Sequence, residues 1–166
     1  MTLPIRPLVA LLLAFAALAL TPAPAAAQSS TPPKLMPAFQ FVRTTGQLFT
    51  RQNLAPGKAT LIVFFDPFCD HCQTQATWIK NEVAKFATAE ILWVSTEESA
   101  AIAKFQSQYF PGNVANIHFL KDKDYKFDEY FGYSEVPTML VYDSKGNFVM
   151  KFTKETSVAE LMKLLK

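Results

Sequence analysis

Residues 64–73 read FFDPFCDHCQ and hold both cysteines of the chain, Cys69 and Cys72, with only Asp70 and His71 between them. The run before them, ATLIVFF (59–65), is rich in β-branched and aromatic residues, as a strand buried on both faces is. After them, QTQATWIKNEVAKFA (73–87) sets Ala76, Ile79, Val83 and Phe86 at helical spacing. The cysteine pair therefore stands where a buried strand hands over to a helix. In α/β sheets, binding and reacting groups collect at the carboxyl ends of strands, where helices begin. The placement is that of a site.

The same periodicities extend in both directions. FQFVRTTGQLFT (39–50) alternates about Thr45-Gly46 and predicts two short strands and a turn. EILWVST (90–96) is a second buried strand, EESAAIAKFQSQYF (97–110) a helix stopped by Pro111-Gly112, and NIHFL (116–120) a third strand. KDYKFDEYFG (123–132) predicts a short helix ending at Gly132, and TMLVYD (138–143) with FVMKFT (148–153) a hairpin. TSVAELMKLLK closes the chain as a helix, capped by Thr156 or Ser157 with Glu160 in its first turn. Strands alternating with helices predict an α/β sheet with helices on both faces.

The first 27 residues read as a signal peptide. Arg6 is followed by 13 apolar residues, Leu8 to Leu20, and then by small residues at Ala25 and Ala27. That run is short of the roughly 20 residues an anchor needs, an uncleaved anchor being the alternative reading. Residues 28–37, QSSTPPKLMP, read as a flexible lead-in. Removing 27 of the 166 residues leaves 139, one domain over 38–166, with formal charge reduced from +2 to +1 by the loss of Arg6. Near-balance of charge gives no basic patch for nucleic acid. The expected setting is the bacterial periplasm or cell envelope, with no membrane attachment after cleavage.

In an oxidising compartment, paired thiols become disulfides. A bridge enclosing two residues stabilises little, since the entropic gain grows with loop length. A closed zinc site takes four donors, and this chain has two Cys and two His, of which only His118 is remote from the motif. Copper suits two thiolates and an imidazole better. Thiol–disulfide exchange fits the spacing best. A cysteine at a helix N-terminus has its thiolate favoured, so Cys69 is the expected nucleophile and Cys72 the resolving thiol. His71 favours the Cys69 thiolate and Asp70 opposes it, which makes the pair redox tuners of opposite sign. Phe68 reads as a groove wall for substrate, with a core position as the alternative. The chemistry calls for no cofactor and no metal.

FFDPFCDHC followed by a helix, with EVPTMLVYDSKGNFV downstream, resembles the thioredoxin superfamily. More narrowly it is similar to the exported TlpA-like redoxins, which carry an N-terminal hairpin, a Gly-Lys like Gly57-Lys58, and an added strand–helix insert before the proline. The resemblance covers residues 37–166. It implies a thioredoxin-like fold, a cis bond at Val136-Pro137 facing the cysteines, and substrate contacts from Val136, Pro137 and Thr138. It also implies exchange with protein thiols and disulfides of the envelope, and an upstream dithiol donor or acceptor. Three departures stand out. The buried acid of thioredoxins, six residues before the first cysteine, is Val63 here, and Glu97, Glu98 and Glu129 are the nearest replacements in type. The position three before Cys69, threonine in peroxidases, is Asp66. The copper-carrying Sco-like proteins use a CxxxC and a distal histidine, for which only His118 speaks. A non-catalytic binding module would not need the intact CxxC.

Overall fold

The structure, a computed structural model, describes residues 31–112, 114–132 and 134–166. The signal peptide expected over residues 1–27 lies outside them. Seven strands form one sheet in the order β2-β1-β5-β4-β3-β6-β7. They are β1 (Gln40–Arg43), β2 (Leu48–Thr50), β3 (Ala59–Phe64), β4 (Ala89–Ser95), β5 (Ile117–Lys121), β6 (Thr138–Tyr142) and β7 (Phe148–Phe152). β3, β4 and β5 run parallel, while β6 pairs antiparallel with β3, and β1 with β5. Helices α1 (Asp70–Asn81), α2 (Ser99–Tyr109), α3 (Phe127–Phe131) and α4 (Val158–Leu164) complete the chain. Among the described residues, no helix is long and apolar enough to cross a membrane.

Side-chain alternation along the central strands divides the core in two. Leu61, Val63, Ile91 and Trp93 face α1, α2 and α4. Ile62, Leu92 and Val94 face the other way, onto Phe41 and Phe49 of the N-terminal hairpin and Phe127 and Phe131 of α3. Each such side chain, fully buried, contributes roughly 1.5–3 kcal/mol of transfer free energy. The sheet is thus the rigid base from which the turn after β3 projects.

Two details differ from the sequence reading. The helix after Cys72 ends at Asn81, and Val83–Phe86 continue as a 3-10 turn. In that tighter winding residues three apart align, which turns Val83 and Phe86 together towards the core. The lead-in is also less free than its composition suggests. Phe148 N–H donates to the Lys34 carbonyl at 2.9 Å, and Met36 N–H to the Gly146 carbonyl at 2.8 Å. Burial of Met36 and these backbone bonds hold residues 34–36 on the β6–β7 turn.

Candidate active site

β3 gives way to a turn built by Asp66 and Pro67. The Asp66 carbonyl accepts from Cys69 N–H at 3.1 Å, and its Oδ1 accepts from Phe68 N–H at 2.7 Å. Asp at the first and Pro at the second position of a turn are suited to this: one side chain bonds the backbone two residues on, the other presets φ. The turn delivers Cys69 as the N-cap of α1. Its Sγ accepts from Cys72 N–H at 3.4 Å, where a serine or aspartate oxygen ordinarily sits. An anion at that point is favoured by the free N–H groups of the first turn.

The two thiols are unbridged and differ in surroundings. Cys69 is half-buried, while Cys72 is enclosed beside Ala76 and Ile79 in the core. Burial pushes the Cys72 thiol far above its ordinary range. A backbone hydrogen bond from Asp66 works against that shift, and the side chains of Cys69 and Asp66 add to it. One sulfur is thus open to a partner and the other is withheld as a thiol.

His71 and Asp70 are both exposed in the first turn of α1. His71 Nδ1 lies 3.0 and 3.1 Å from the two carboxylate oxygens of Glu155, in the loop before α4. Phe68 is 69 % exposed, which excludes the core alternative. With Pro67, Gln73, Ala101, Lys104 and Phe105 it lines an open groove of about 410 Å³ between the start of α1 and α2.

The Val136-Pro137 bond is cis. Thr138 pairs with Phe64 across β6 and β3, which sets Pro137 level with the turn that carries the cysteines. Val136 is 39 % exposed and Pro137 is buried. Thr138 departs from expectation. Its side chain is fully buried in β6, and Oγ1 has no hydrogen-bond partner among the described residues, so it is not presented to a substrate.

His118 is not drawn to the cysteines. It lies on the opposite face of the sheet from Cys72, its ring 4.8 Å from that of Phe49, and Nε2 lies 2.7 Å from Glu90 Oε2. Lys58 is 3.6 Å from the same carboxylate. Burial lowers the His118 pKa, the Glu90 carboxylate opposes this, and Arg43 adds to it. Among the described residues no three His, Cys, Asp or Glu side chains converge as a metal-ligand set.

Val63 is enclosed in hydrocarbon. Of the acids considered as its replacement, Glu98 pairs with Lys121 and Glu129 with Lys126, and neither they nor Glu97 act on Cys72. The acid whose charge does reach Cys72 is Asp66. Its Asp-Pro turn signal was visible in the sequence, its nearness to Cys72 was not. Glu155 had no local signal at all, because it meets His71 across 84 positions of the chain.

The AhpC/TSA family pattern matches residues 33–151. No curated protein matches the chain. Among solved structures, it is similar to a secreted disulfide oxidoreductase of Mycobacterium tuberculosis homologous to Escherichia coli DsbE. That match has 21 % identity and TM-score 0.61, covering 75 % of this chain and 92 % of the other. StoA from Bacillus subtilis matches at 12 % identity and TM-score 0.62, covering 80 % and 98 %. Copper-bound ScoI from Arabidopsis thaliana matches at 16 % identity and TM-score 0.61, covering 78 % and 94 %. At these identities the likeness carries the fold, which is thioredoxin-like.

Proposed function

The chain belongs to the AhpC/TSA family, and from that premise we propose that it is an exported thiol–disulfide oxidoreductase working on proteins of the cell envelope. The observation that carries the reading is the asymmetry of one motif: Cys69 half-exposed at the cap of α1, Cys72 buried one turn in, 3.4 Å from N–H to sulfur. In the reducing direction, the Cys69 thiolate attacks a substrate disulfide. A Cys69–substrate bond forms, and the substrate S–S bond breaks with release of one substrate thiolate. Cys72 then loses its proton and attacks Cys69 Sγ, closing the Cys69–Cys72 disulfide and releasing the second substrate thiolate. Two electrons pass to the substrate, and an upstream dithiol restores the pair. The oxidising direction is the same sequence reversed, with an upstream disulfide.

Phe68 and Val136 form the exposed walls of the approach to Cys69, and Pro137 closes the site from the β6 side. His71 and Asp70 tune the thiolate from the first turn of α1. Residues 1–27, with their apolar run and small residues at Ala25 and Ala27, are read as the export signal. Asp66 stands where a peroxidase would place threonine, and His118 lies on the other face of the sheet from Cys72, so neither peroxide reduction nor copper delivery gains a residue here. The test is reduction of insulin disulfides by dithiothreitol in the presence of the purified chain from residue 28. Acceleration that vanishes in Cys69→Ser is expected. Consumption of hydrogen peroxide without any action on insulin would overturn the reading.

A further inference from the structure

The loop between β7 and α4 lies along α1 and is fixed to it twice. Gln75, fully buried, accepts from Thr156 N–H through Oε1 at 2.7 Å. One turn earlier, both carboxylate oxygens of Glu155 reach His71 Nδ1 at 3.0–3.1 Å. Positions 71 and 75 are four apart and so share a face of the helix. The Glu155 side chain is only 25 % exposed although His71 is 69 % exposed, so the carboxylate is the fixed partner and the imidazole the held one. A hydrogen bond from its own backbone, and then the one from His71, hold the Glu155 carboxyl below its ordinary range.

We propose that Glu155 is a positioning residue that restrains the oxidising strength of the Cys69–Cys72 couple by holding His71 and offsetting its charge, an inference that rests on the oxidoreductase reading above. With His71 neutral, the pair carries one negative charge; with His71 protonated, it carries none. With Gln at 155 these values become zero and plus one. Removing the carboxylate therefore makes the neighbourhood of Cys69 more positive in either state of His71, wherever Glu155 is ionised. Asp70 beside His71, Lys154 beside Glu155 and Asp66 near Cys72 also carry charge here, and the substitution leaves them unchanged. Reduction creates a thiolate at Cys69 where the disulfide was neutral, so a more positive neighbourhood stabilises the reduced form. A couple whose reduced form is stabilised is the stronger oxidant.

The experiment equilibrates four proteins with reduced and oxidised glutathione: the wild-type chain, Glu155→Gln, His71→Ala and the double variant. Gln keeps the shape of Glu and an oxygen that accepts from Nδ1–H, so the fold and the contact survive. Glu155→Gln is expected to shift the equilibrium constant towards oxidising by about two- to fivefold, the range of an exposed charge pair. At 29.6 mV per tenfold that is roughly 10–20 mV less negative. The shift should shrink by at least half in the His71→Ala background, where residue 155 has no imidazole left to hold beside Cys69 or to offset. No shift, a shift towards reducing, or equal shifts in both backgrounds would overturn the inference while leaving a normal wild-type titration, and thus the oxidoreductase reading, intact. A wild-type chain that forms no disulfide under any glutathione ratio would instead overturn the reading beneath it.

Discussion

Replacing Cys72 with serine removes the resolving thiol and leaves Cys69 at the cap of α1. In the wild-type chain the second attack is intramolecular, and the Cys72 N–H already rests on Cys69 Sγ at 3.4 Å. Well-aligned intramolecular reactions reach effective molarities of about 10⁵–10⁸ M. Burial holds Cys72 as a thiol and lowers its reactive fraction, so a far smaller effective concentration, about 1 M, is a fair floor. Without Cys72 the mixed disulfide waits for an external thiol at about 1 mM, and its lifetime lengthens about a thousandfold. The substitution also places a hydroxyl among Ala76 and Ile79. That costs about 1–3 kcal/mol unless the hydroxyl takes over the backbone hydrogen bond from Asp66. Cys72→Ala lacks the hydroxyl and should trap equally while melting closer to wild type, which separates chemistry from folding. Each variant is expressed in the exporting cell, quenched with acid and run on non-reducing gels. Reducible high-mass bands should appear with both Cys72 variants and be missing with Cys69→Ser. Equal trapping by Cys69→Ser, or complexes from Cys72→Ser that decay at the wild-type rate, would refute the division of roles.

Phe65 is 1 % exposed, with ring centroids 4.7 Å from Phe105 and 5.2 Å from Trp93. Phe65→Ala should cost about 3–5 kcal/mol and lower the melting temperature by about 10–17 °C. A loss below about 1 kcal/mol in denaturant titration would contradict the packing at the root of the Asp66 turn. His118 supplies a pH dependence whose sign is fixed by its lowered pKa. The folded state resists protonation, so its contribution is intact above the unfolded value near 6.5 and is lost as pH falls through the folded one. Wild-type stability should fall below about pH 6.5 with a slope of up to roughly 1.4 kcal/mol per pH unit from this residue. His118→Asn should flatten that portion of the curve, and an unchanged slope would reject the assignment.

Most of the architecture was legible because each element carries one period. ATLIVFF and EILWVST are apolar throughout and became the two central strands, while Ala76 and Ile79 sit at helical spacing and line α1. Ser157 proved to be the cap of α4, its hydroxyl accepting from Glu160 N–H at 3.3 Å. What stayed hidden depends on contacts between distant segments. Glu155 reaches His71 only because the β7–α4 loop folds along α1, and His118 finds Glu90 only through the pairing of β4 with β5. Thr138 was misjudged for a local reason. It follows the proline directly, but β6 begins there and is covered on both faces, so the side chain is buried. Asp66 was read for what it would mean in a peroxidase, and its nearness to the buried sulfur follows from a turn that brings residue 66 back towards residue 72.

The central claim is that Cys69 and Cys72 form one reversible two-electron couple. Its most direct test is a redox titration of the chain from residue 28 in glutathione and dithiothreitol buffers, with acid quench, alkylation and intact-mass measurement at each potential. The two thiols should become unavailable together, with a loss of two hydrogens and a two-electron slope. The midpoint should lie between the thioredoxin value of about −270 mV and the DsbA value of about −120 mV. Thiols that alkylate independently at every potential, with no species lighter by two hydrogens, would contradict the account.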